Sequence, residues 1–133
     1  MLNFKNIKKM KYKILLLAFA AFASSCSDKN MTKNNDNSYT INTLELGKDI
    51  RGYAGRLPIS VTIKGDEIQS VKILQNQETP AYLERVEKQM LPKFNGINIK
   101  QINTIDAVSG ATYTSKALTK NVQVAVDYYN SKR

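Results

Sequence analysis

Apolar and polar positions alternate along the chain from residue 57, which predicts a β-strand with one buried face. Residues 64–67 read Lys-Gly-Asp-Glu, which is turn chemistry, and a second run of strand-forming residues covers positions 68–74. The pattern therefore predicts a β-hairpin. The inward-facing positions of its first strand are Leu57, Ile59, Val61 and Ile63.

Helical spacing of apolar residues follows the hairpin. Thr79 and Pro80 are residue types that favour the cap and the first turn of a helix. The apolar residues that follow recur at three- and four-residue intervals, which predicts a helix that ends near Pro92. These residues are Leu83, Val86 and Met90.

Two further elements are predicted after this helix. Residues 97–105 alternate around several isoleucines and predict a third short strand. Residues 113–130 carry a broad apolar stripe and predict a final helix. The stripe consists of Leu118, Val122, Ala125 and Tyr129. The predicted fold class is α+β, a small antiparallel or mixed sheet with a hairpin and two helices packed against it.

The N-terminal residues have the features of an export signal. Five lysines precede an apolar run over residues 14–23, and small residues lead to Cys26, which is the only cysteine. A lone cysteine at this position resembles the lipobox of bacterial lipoproteins, in which the cysteine is acylated. An ordinary secreted protein with a free thiol and an uncleaved anchor are the alternatives. We expect a signal peptide over 1–25, a flexible tether over 26–40 and a folded domain over 41–133.

The net charge does not indicate a nucleic-acid-binding protein. The formal charge is +9, and removal of the five signal lysines lowers it to +4. The remaining lysines are scattered and not interleaved with aromatic residues, which argues against nucleic-acid binding. The chain has no histidine, no metal-ligand cluster and no Gly-x-Gly-x-x-Gly fingerprint of dinucleotide binding.

The candidate chemistry lies in the turn before the final helix. Gly110 permits a backbone angle that other residues avoid, and Ala111 leaves room for close approach. The neighbouring hydroxyl groups can cap a helix or bind phosphate oxygens at its N-terminus. From the residues alone, this stretch is either a phosphate site or only a well-capped helix start. The stretch comprises Asp106, Ser109, Gly110, Ala111, Thr112, Tyr113, Thr114 and Ser115.

The stretch 106–115, Asp-Ala-Val-Ser-Gly-Ala-Thr-Tyr-Thr-Ser, is similar to the flavinylation motif of the FMN-binding domain family. This family includes the C subunit of the sodium-translocating NADH:quinone reductase and the G subunit of the Rnf complex. In its motif, an aspartate precedes Ser or Thr, then Gly-Ala-Thr, one variable residue and a Ser or Thr that carries FMN through a phosphoester. The resemblance covers residues 52–130, and it also includes Gly52-Tyr53-Ala54-Gly55 and Glu78-Thr79-Pro80.

The resemblance implies a covalent FMN cofactor with Thr114 as its acceptor. Glu78 and Thr79 are expected to line the flavin pocket, although family members often carry a histidine before this pair and this chain has Gln77. Tyr53, Tyr82 and Tyr113 are candidates for stacking on the flavin ring. A threonine hydroxyl is a weak nucleophile without a base, and no His or suitably spaced Lys accompanies Thr114. The resemblance therefore implies a separate FAD:protein FMN transferase.

The predicted function is that of an electron carrier in the envelope of a Gram-negative-type bacterium. A flavin on a lipid anchor would exchange electrons with membrane-bound or periplasmic donor and acceptor proteins. Two alternatives remain open. One is a flavin-dependent reductase or sensor with its own substrate, and the other is a non-redox binding module that retains the fold.

Overall fold

A computed structural model of the protein describes residues 28–133. The predicted signal peptide and Cys26 lie outside the described residues. Four strands form one antiparallel sheet in the order β1-β2-β3-β4. The strands are β1 (Met31–Lys33), β2 (Tyr39–Asn42), β3 (Ile59–Lys64) and β4 (Glu67–Ile73). Two α-helices follow, α1 (Pro80–Gln89) and α2 (Thr112–Lys132), separated by two 3-10 helices (Leu91–Phe94 and Ile99–Thr104).

The predicted hairpin is β3 and β4, with Gly65 at a φ of 60° in the turn between them. Alternation along β3 buries one face completely, because Ile59, Val61 and Ile63 have no exposed surface. The long helix α2 packs across β2 and β3 on this face. Its buried stripe includes Leu118, Val122, Ala125 and Tyr129 as predicted. The protein is therefore an α+β fold whose core lies between the sheet and α2.

The first two strands differ from the prediction. Residues 31–33 and 39–42 lie in the sheet, so residues 31–33 and 39–40 of the predicted 26–40 tether are strand rather than flexible linker. A hairpin turn connects these strands, and Asn37 adopts a left-handed φ of 64° in it. The carboxylate of Asp36 accepts hydrogen bonds from the backbone N–H and the hydroxyl of Ser38. Local side-chain hydrogen bonds thus order a polar segment that contributes few apolar residues to the core.

The strand predicted over residues 97–105 is also wrong. The segment forms the second 3-10 helix, in which Asn98 caps the first turn by accepting the N–H of Lys100 at 2.9 Å. Ile99 and Ile102 are buried, and Ile105 is half-buried. These three isoleucines recur every third residue, which is the repeat of a 3-10 helix rather than of a strand. The apolar positions were predicted correctly, and the element type was not.

The helix α1 begins at Pro80, and Thr79 occupies the cap position. The Thr79 side chain makes no capping hydrogen bond, so the predicted capping role is limited to its backbone conformation. Val86 and Met90 are buried, and α1 packs against α2. This packing brings the start of α1 close to the start of α2. Among residues 28–133, no helix is both long enough and apolar enough to cross a membrane.

Candidate functional site

The turn before α2 is held by Ser115. Its hydroxyl accepts the backbone N–H of Val108 at 2.9 Å and donates to the carbonyl of Ala111 at 2.7 Å. Ser115 is fully buried, and its hydroxyl fixes the shape of the turn through these two hydrogen bonds. Gly110 adopts a φ of 80°, as its predicted role requires. Ala111 is the residue that precedes the first helical turn, and no side chain caps this helix.

Most of the other predicted residues of the turn face solvent. Asp106, Ser109, Gly110 and Thr112 are exposed, whereas Ala111 is buried. The predicted capping by these hydroxyl groups is not observed, because no side chain forms a capping hydrogen bond at the start of α2. The exposed hydroxyl groups leave the N-terminal end of α2 open. That end carries the positive partial charge of the helix dipole, which favours an anion.

Thr114 lies at the centre of the site and is fully buried. Its hydroxyl donates a hydrogen bond of 3.1 Å to Oε2 of Glu78, which lies just before α1. Glu78 is only 5% exposed. The structure thus brings together two residues that were predicted separately as the FMN acceptor and as a pocket residue. The contact between them was not predicted, since nothing in the local sequence links positions 78 and 114.

The carboxylate of Glu78 also accepts hydrogen bonds from three backbone N–H groups. It accepts from Tyr53 at 2.8 Å, from Ala54 at 2.7 Å and from Thr79 at 3.0 Å. Burial by itself raises the pKa of this carboxyl. The hydrogen bonds from these N–H groups and from Thr114 outweigh burial, and they hold the pKa of Glu78 below its ordinary value of 4.5. Glu78 is therefore ionised at neutral pH, and it ties three segments of the site together.

Gly52 makes the approach of Glu78 possible. A Cβ atom on Gly52 would lie 1.7 Å from Oε2 of Glu78, a distance that no two non-bonded atoms tolerate. Gly55 closes the same turn by accepting the N–H of Gly52 at 2.8 Å, but a Cβ atom on Gly55 would meet nothing closer than 3.6 Å. The two glycines that the sequence singled out thus have different roles. Gly52 is required by close packing, and Gly55 is not.

Three tyrosines surround the mouth of the site. The Tyr53 and Tyr82 rings meet edge to face with centroids 5.0 Å apart, and the Tyr53 and Tyr113 centroids are 6.3 Å apart. Tyr53 and Tyr113 are 60% and 65% exposed, so their rings are accessible at the surface. Together with residues 110–114 they line a cavity of about 230 Å³. The structure brings these three predicted stacking residues to one place, directly beside Thr114.

Arg85 adds a positive charge that the sequence analysis missed. A Cβ atom on Gly110 would lie 2.5 Å from Nη1 of Arg85, so the guanidinium lies against the turn. Arg85 follows Glu78 by seven residues and is exposed on α1. Only the packing of α1 against α2 reveals its proximity to the turn. Among residues 28–133, no group of His, Cys, Asp and Glu residues is arranged to hold a metal ion.

The residues of the site fit a flavin nucleotide. A buried hydroxyl, a helix N-terminus and a guanidinium suit a phosphate group, and the tyrosine rings suit a flat aromatic ring. The cavity is smaller than the ~300–1,000 Å³ of pockets that enclose a whole ligand. The site can thus hold part of a flavin and leave the remainder at the surface.

Comparisons with known proteins agree with this geometry. A family model described as "FMN-binding domain" matches residues 52–127, which includes every residue of the site. The chain is 30% identical over 97 residues to the G subunit of the ion-translocating oxidoreductase complex of Shewanella piezotolerans, covering 62% of this chain and 46% of that protein. It is 35% identical over 82 residues to the NADH:acrylate oxidoreductase of Vibrio harveyi, covering 58% of this chain and 7% of that protein.

The chain thus spans about half the length of the first relative and a small fraction of the second. No solved structure matches it. Each of the two alignments covers more than half of this chain. The family match covers most of the described fold.

Proposed function

The chain belongs to the FMN-binding domain family, and from this premise we propose that it carries FMN bonded covalently to Thr114 and acts as an extracytoplasmic electron carrier. One observation supports the attachment point above all others. Thr114 is the residue of the motif that both lines the cavity and has a hydroxyl held by a carboxylate from another element. Bound FMN would supply the redox chemistry, since none of the side chains of the site transfers electrons by itself.

Glu78 has a specific part in this proposal. In transfer from FAD, Oγ1 of Thr114 would bond to the phosphorus of the FMN half and AMP would leave. The Glu78 carboxylate, which already accepts the hydroxyl proton in a hydrogen bond, would be the group that receives that proton. The sequence offered no histidine or suitably spaced lysine for this step, and the fold supplies a carboxylate instead. The separate transferase is still required, because FAD must be bound and positioned.

The charges around Thr114 favour a phosphodiester directed away from Glu78. The guanidinium of Arg85 lies against the turn at Gly110, beside the N-terminus of α2, whereas the Glu78 carboxylate contacts the Thr114 hydroxyl itself. Each favourable interaction of an anion with a helix terminus contributes on the order of 1 kcal/mol. Thr114 is fully buried, so the side chains around its hydroxyl must shift for the reaction. The rings of Tyr53 and Tyr113, which line the same cavity, are then available to stack on the flavin.

The proposed location is the bacterial envelope. We infer a lipid anchor at Cys26 from the export-signal pattern, with the domain in the periplasm or at the cell surface. Membrane-bound or periplasmic proteins would donate and accept the electrons. The name of the relative from Shewanella piezotolerans, a component of an ion-translocating oxidoreductase complex, supports partners of this class. The exposed edge of the site is compatible with direct electron exchange with another protein.

Intact mass spectrometry tests the attachment. The protein is expressed with an FAD:protein FMN transferase in a host that supplies FAD. The wild type should gain the mass of one FMN less one water, and Thr114→Val should gain none. Thr32→Val is the matched control, because it removes an exposed threonine hydroxyl in β1, outside the motif, and it should be modified like the wild type. An unmodified wild type, or a modified Thr114→Val protein, would contradict the proposal.

A further inference from the structure

A second cavity lies behind the turn that carries Tyr53, and its walls are basic and polar. It has a volume of about 310 Å³. Two arginines, Arg51 and Arg56, line it together with the amide side chains of residues 75–77. The cavity shares a wall with the site at Thr114, since Ala54 lines it and donates its backbone N–H to Glu78. None of the residues that line it belongs to the tyrosine cavity described above.

The two arginines face each other across a backbone bridge. Arg51 and Arg56 are paired residues in an isolated antiparallel β-bridge. Like charges directly opposite each other in such a pair destabilise the fold. Among residues 28–133, the ion pairs are Lys88 with Glu84 and Arg133 with Asp66, so no carboxylate of this part of the chain neutralises the two guanidinium groups. The fold therefore maintains two adjacent positive charges without compensation from described residues.

Arg56 also has unused hydrogen-bonding capacity. One of its amino groups donates to the carbonyl of Leu44, but its Nε–H is buried and has no acceptor within the described structure. A buried donor without a partner costs about 1–3 kcal/mol. Native proteins rarely keep such a donor, so the described residues leave the Arg56 guanidinium partly unsatisfied beside a cavity that a second arginine also lines. An oxyanion with two oxygen atoms matches the paired N–H groups of a guanidinium.

From these observations we propose that this cavity is a binding site for a small organic oxyanion, held by Arg51 and Arg56. The ligand class is defined by a carboxylate or phosphate group that accepts hydrogen bonds from both guanidinium groups. The cavity volume exceeds that of the anionic group alone, so the amides of Gln75 and Gln77 contact the remainder of the ligand. The proposal does not depend on the flavin, because none of these side chains lies in the tyrosine cavity.

Amide NMR titration of the purified protein tests the site. Inorganic phosphate and acetate are added separately at constant ionic strength, which is maintained with sodium chloride. Phosphate represents a ligand with a phosphate group, and acetate represents a ligand with a carboxylate. The probe that binds with the higher affinity identifies the group carried by the ligand. We expect saturable shifts confined to residues 51–56 and 75–77 with at least one probe. Shifts that stay linear with both probes, or that spread over all surface lysines, would overturn the proposal.

Charge variants make the test specific. Arg51→Gln should weaken binding by at least about tenfold, because it removes charge-assisted hydrogen bonds to the anion. Arg56→Lys keeps the charge but removes the guanidinium fork, and it should weaken binding as well. Lys93→Gln is the control, because it removes an exposed positive charge elsewhere. Equal affinity in Arg51→Gln and wild type, or equal weakening by Lys93→Gln, would refute the site. Unchanged thermal unfolding verifies that each variant is folded.

Discussion

Glu78 accepts a hydrogen bond from the hydroxyl of Thr114 across 36 residues of sequence, in a site where both side chains are buried. The same carboxylate binds three backbone N–H groups, from residues 53, 54 and 79. One side chain therefore orients the proposed acceptor and also holds the turn that carries Tyr53. Substitutions at this position should affect both stability and modification.

Glu78→Gln should lower the free energy of unfolding by about 2 kcal/mol at pH 7, because an amide cannot accept all of these hydrogen bonds and its NH₂ group must face backbone donors. Urea unfolding monitored by circular dichroism measures the change. Glu84→Gln is the matched control, since Glu84 is exposed and forms only a surface ion pair with Lys88. Its effect should stay below about 0.5 kcal/mol. Equal effects of the two variants would contradict the assigned role of Glu78.

The difference between wild type and Glu78→Gln should depend on pH. The pKa of Glu78 is lower in the folded protein than its ordinary value of 4.5. A lowered pKa stabilises the fold fully above the unfolded value, and this contribution disappears as pH falls through the folded value. The two unfolding free energies should therefore converge when the pH is lowered below about 4.5. Urea titrations at a series of pH values measure this, and a gap that stays constant into acid would oppose the prediction.

Gly52→Ala and Gly55→Ala should differ although the residues share one turn. The added methyl group at position 52 collides with Glu78, whereas at position 55 it makes an ordinary contact. We expect Gly52→Ala to destabilise the protein by more than about 2 kcal/mol and Gly55→Ala by less than about 1 kcal/mol. Thermal unfolding of the two variants provides the comparison. If both variants lost a similar amount of stability, the effect would come from the turn itself and not from the close approach of Glu78 to Gly52.

Tyr113→Leu should expose the flavin of the modified protein. The Tyr113 ring lies beside Thr114 at the mouth of the cavity, and its removal leaves one face of a stacked ring uncovered. Iodide should then quench flavin fluorescence more strongly than in the wild type. Tyr128→Leu is the control, because Tyr128 lies near the other end of α2 and bonds to Asp28. Unchanged quenching in Tyr113→Leu would argue against contact between this ring and the flavin.

Cys26→Ser should release the protein from membranes. Acylation requires the thiol, and a serine at this position cannot carry the lipid. Fractionation of cells followed by immunoblotting should find the wild type with the membranes and Cys26→Ser outside them. Thr114→Val should remain in the membrane fraction, because flavin attachment and lipid attachment are separate modifications. A membrane-bound Cys26→Ser protein would oppose the lipoprotein assignment.

Elements with strong periodicity were predictable from the sequence. The β3–β4 hairpin and α2 bury continuous apolar stripes, and their pattern identifies both the element and its inward face. Residues 99–104 lie in a short segment rich in isoleucine. The spacing of apolar residues in such a segment fits both the two-residue period of a strand and the three-residue period of a 3-10 helix. The cap at Asn98 decides in favour of a 3-10 helix, and a side-chain cap of this kind is easily overlooked in a run of isoleucines.

The first hairpin and the centre of the site were harder to predict for a different reason. The strand β1 contributes little to the core, and its register depends on backbone pairing with β2. The alternation of Tyr39 and Ile41 was the available signal for β2, and the Asn-rich turn before it obscured that signal. Within the site, the motif indicated Thr114 by resemblance. The contacts to Glu78, Arg85 and Gly52 depend on tertiary packing, which no local pattern encodes.

The length of α2 determines where the proposed redox site lies relative to the proposed anchor. Asp28, two residues after Cys26, accepts a 2.6 Å hydrogen bond from Tyr128 near the end of α2, whereas Thr114 lies near its beginning. Fourteen residues of helix separate these positions, a distance of about 21 Å at ~1.5 Å per residue. The helix would therefore act as a rigid spacer that keeps the flavin about 20 Å from Asp28, the described residue nearest to the proposed anchor. A redox partner that reaches the flavin would have to bind the end of the domain opposite Asp28.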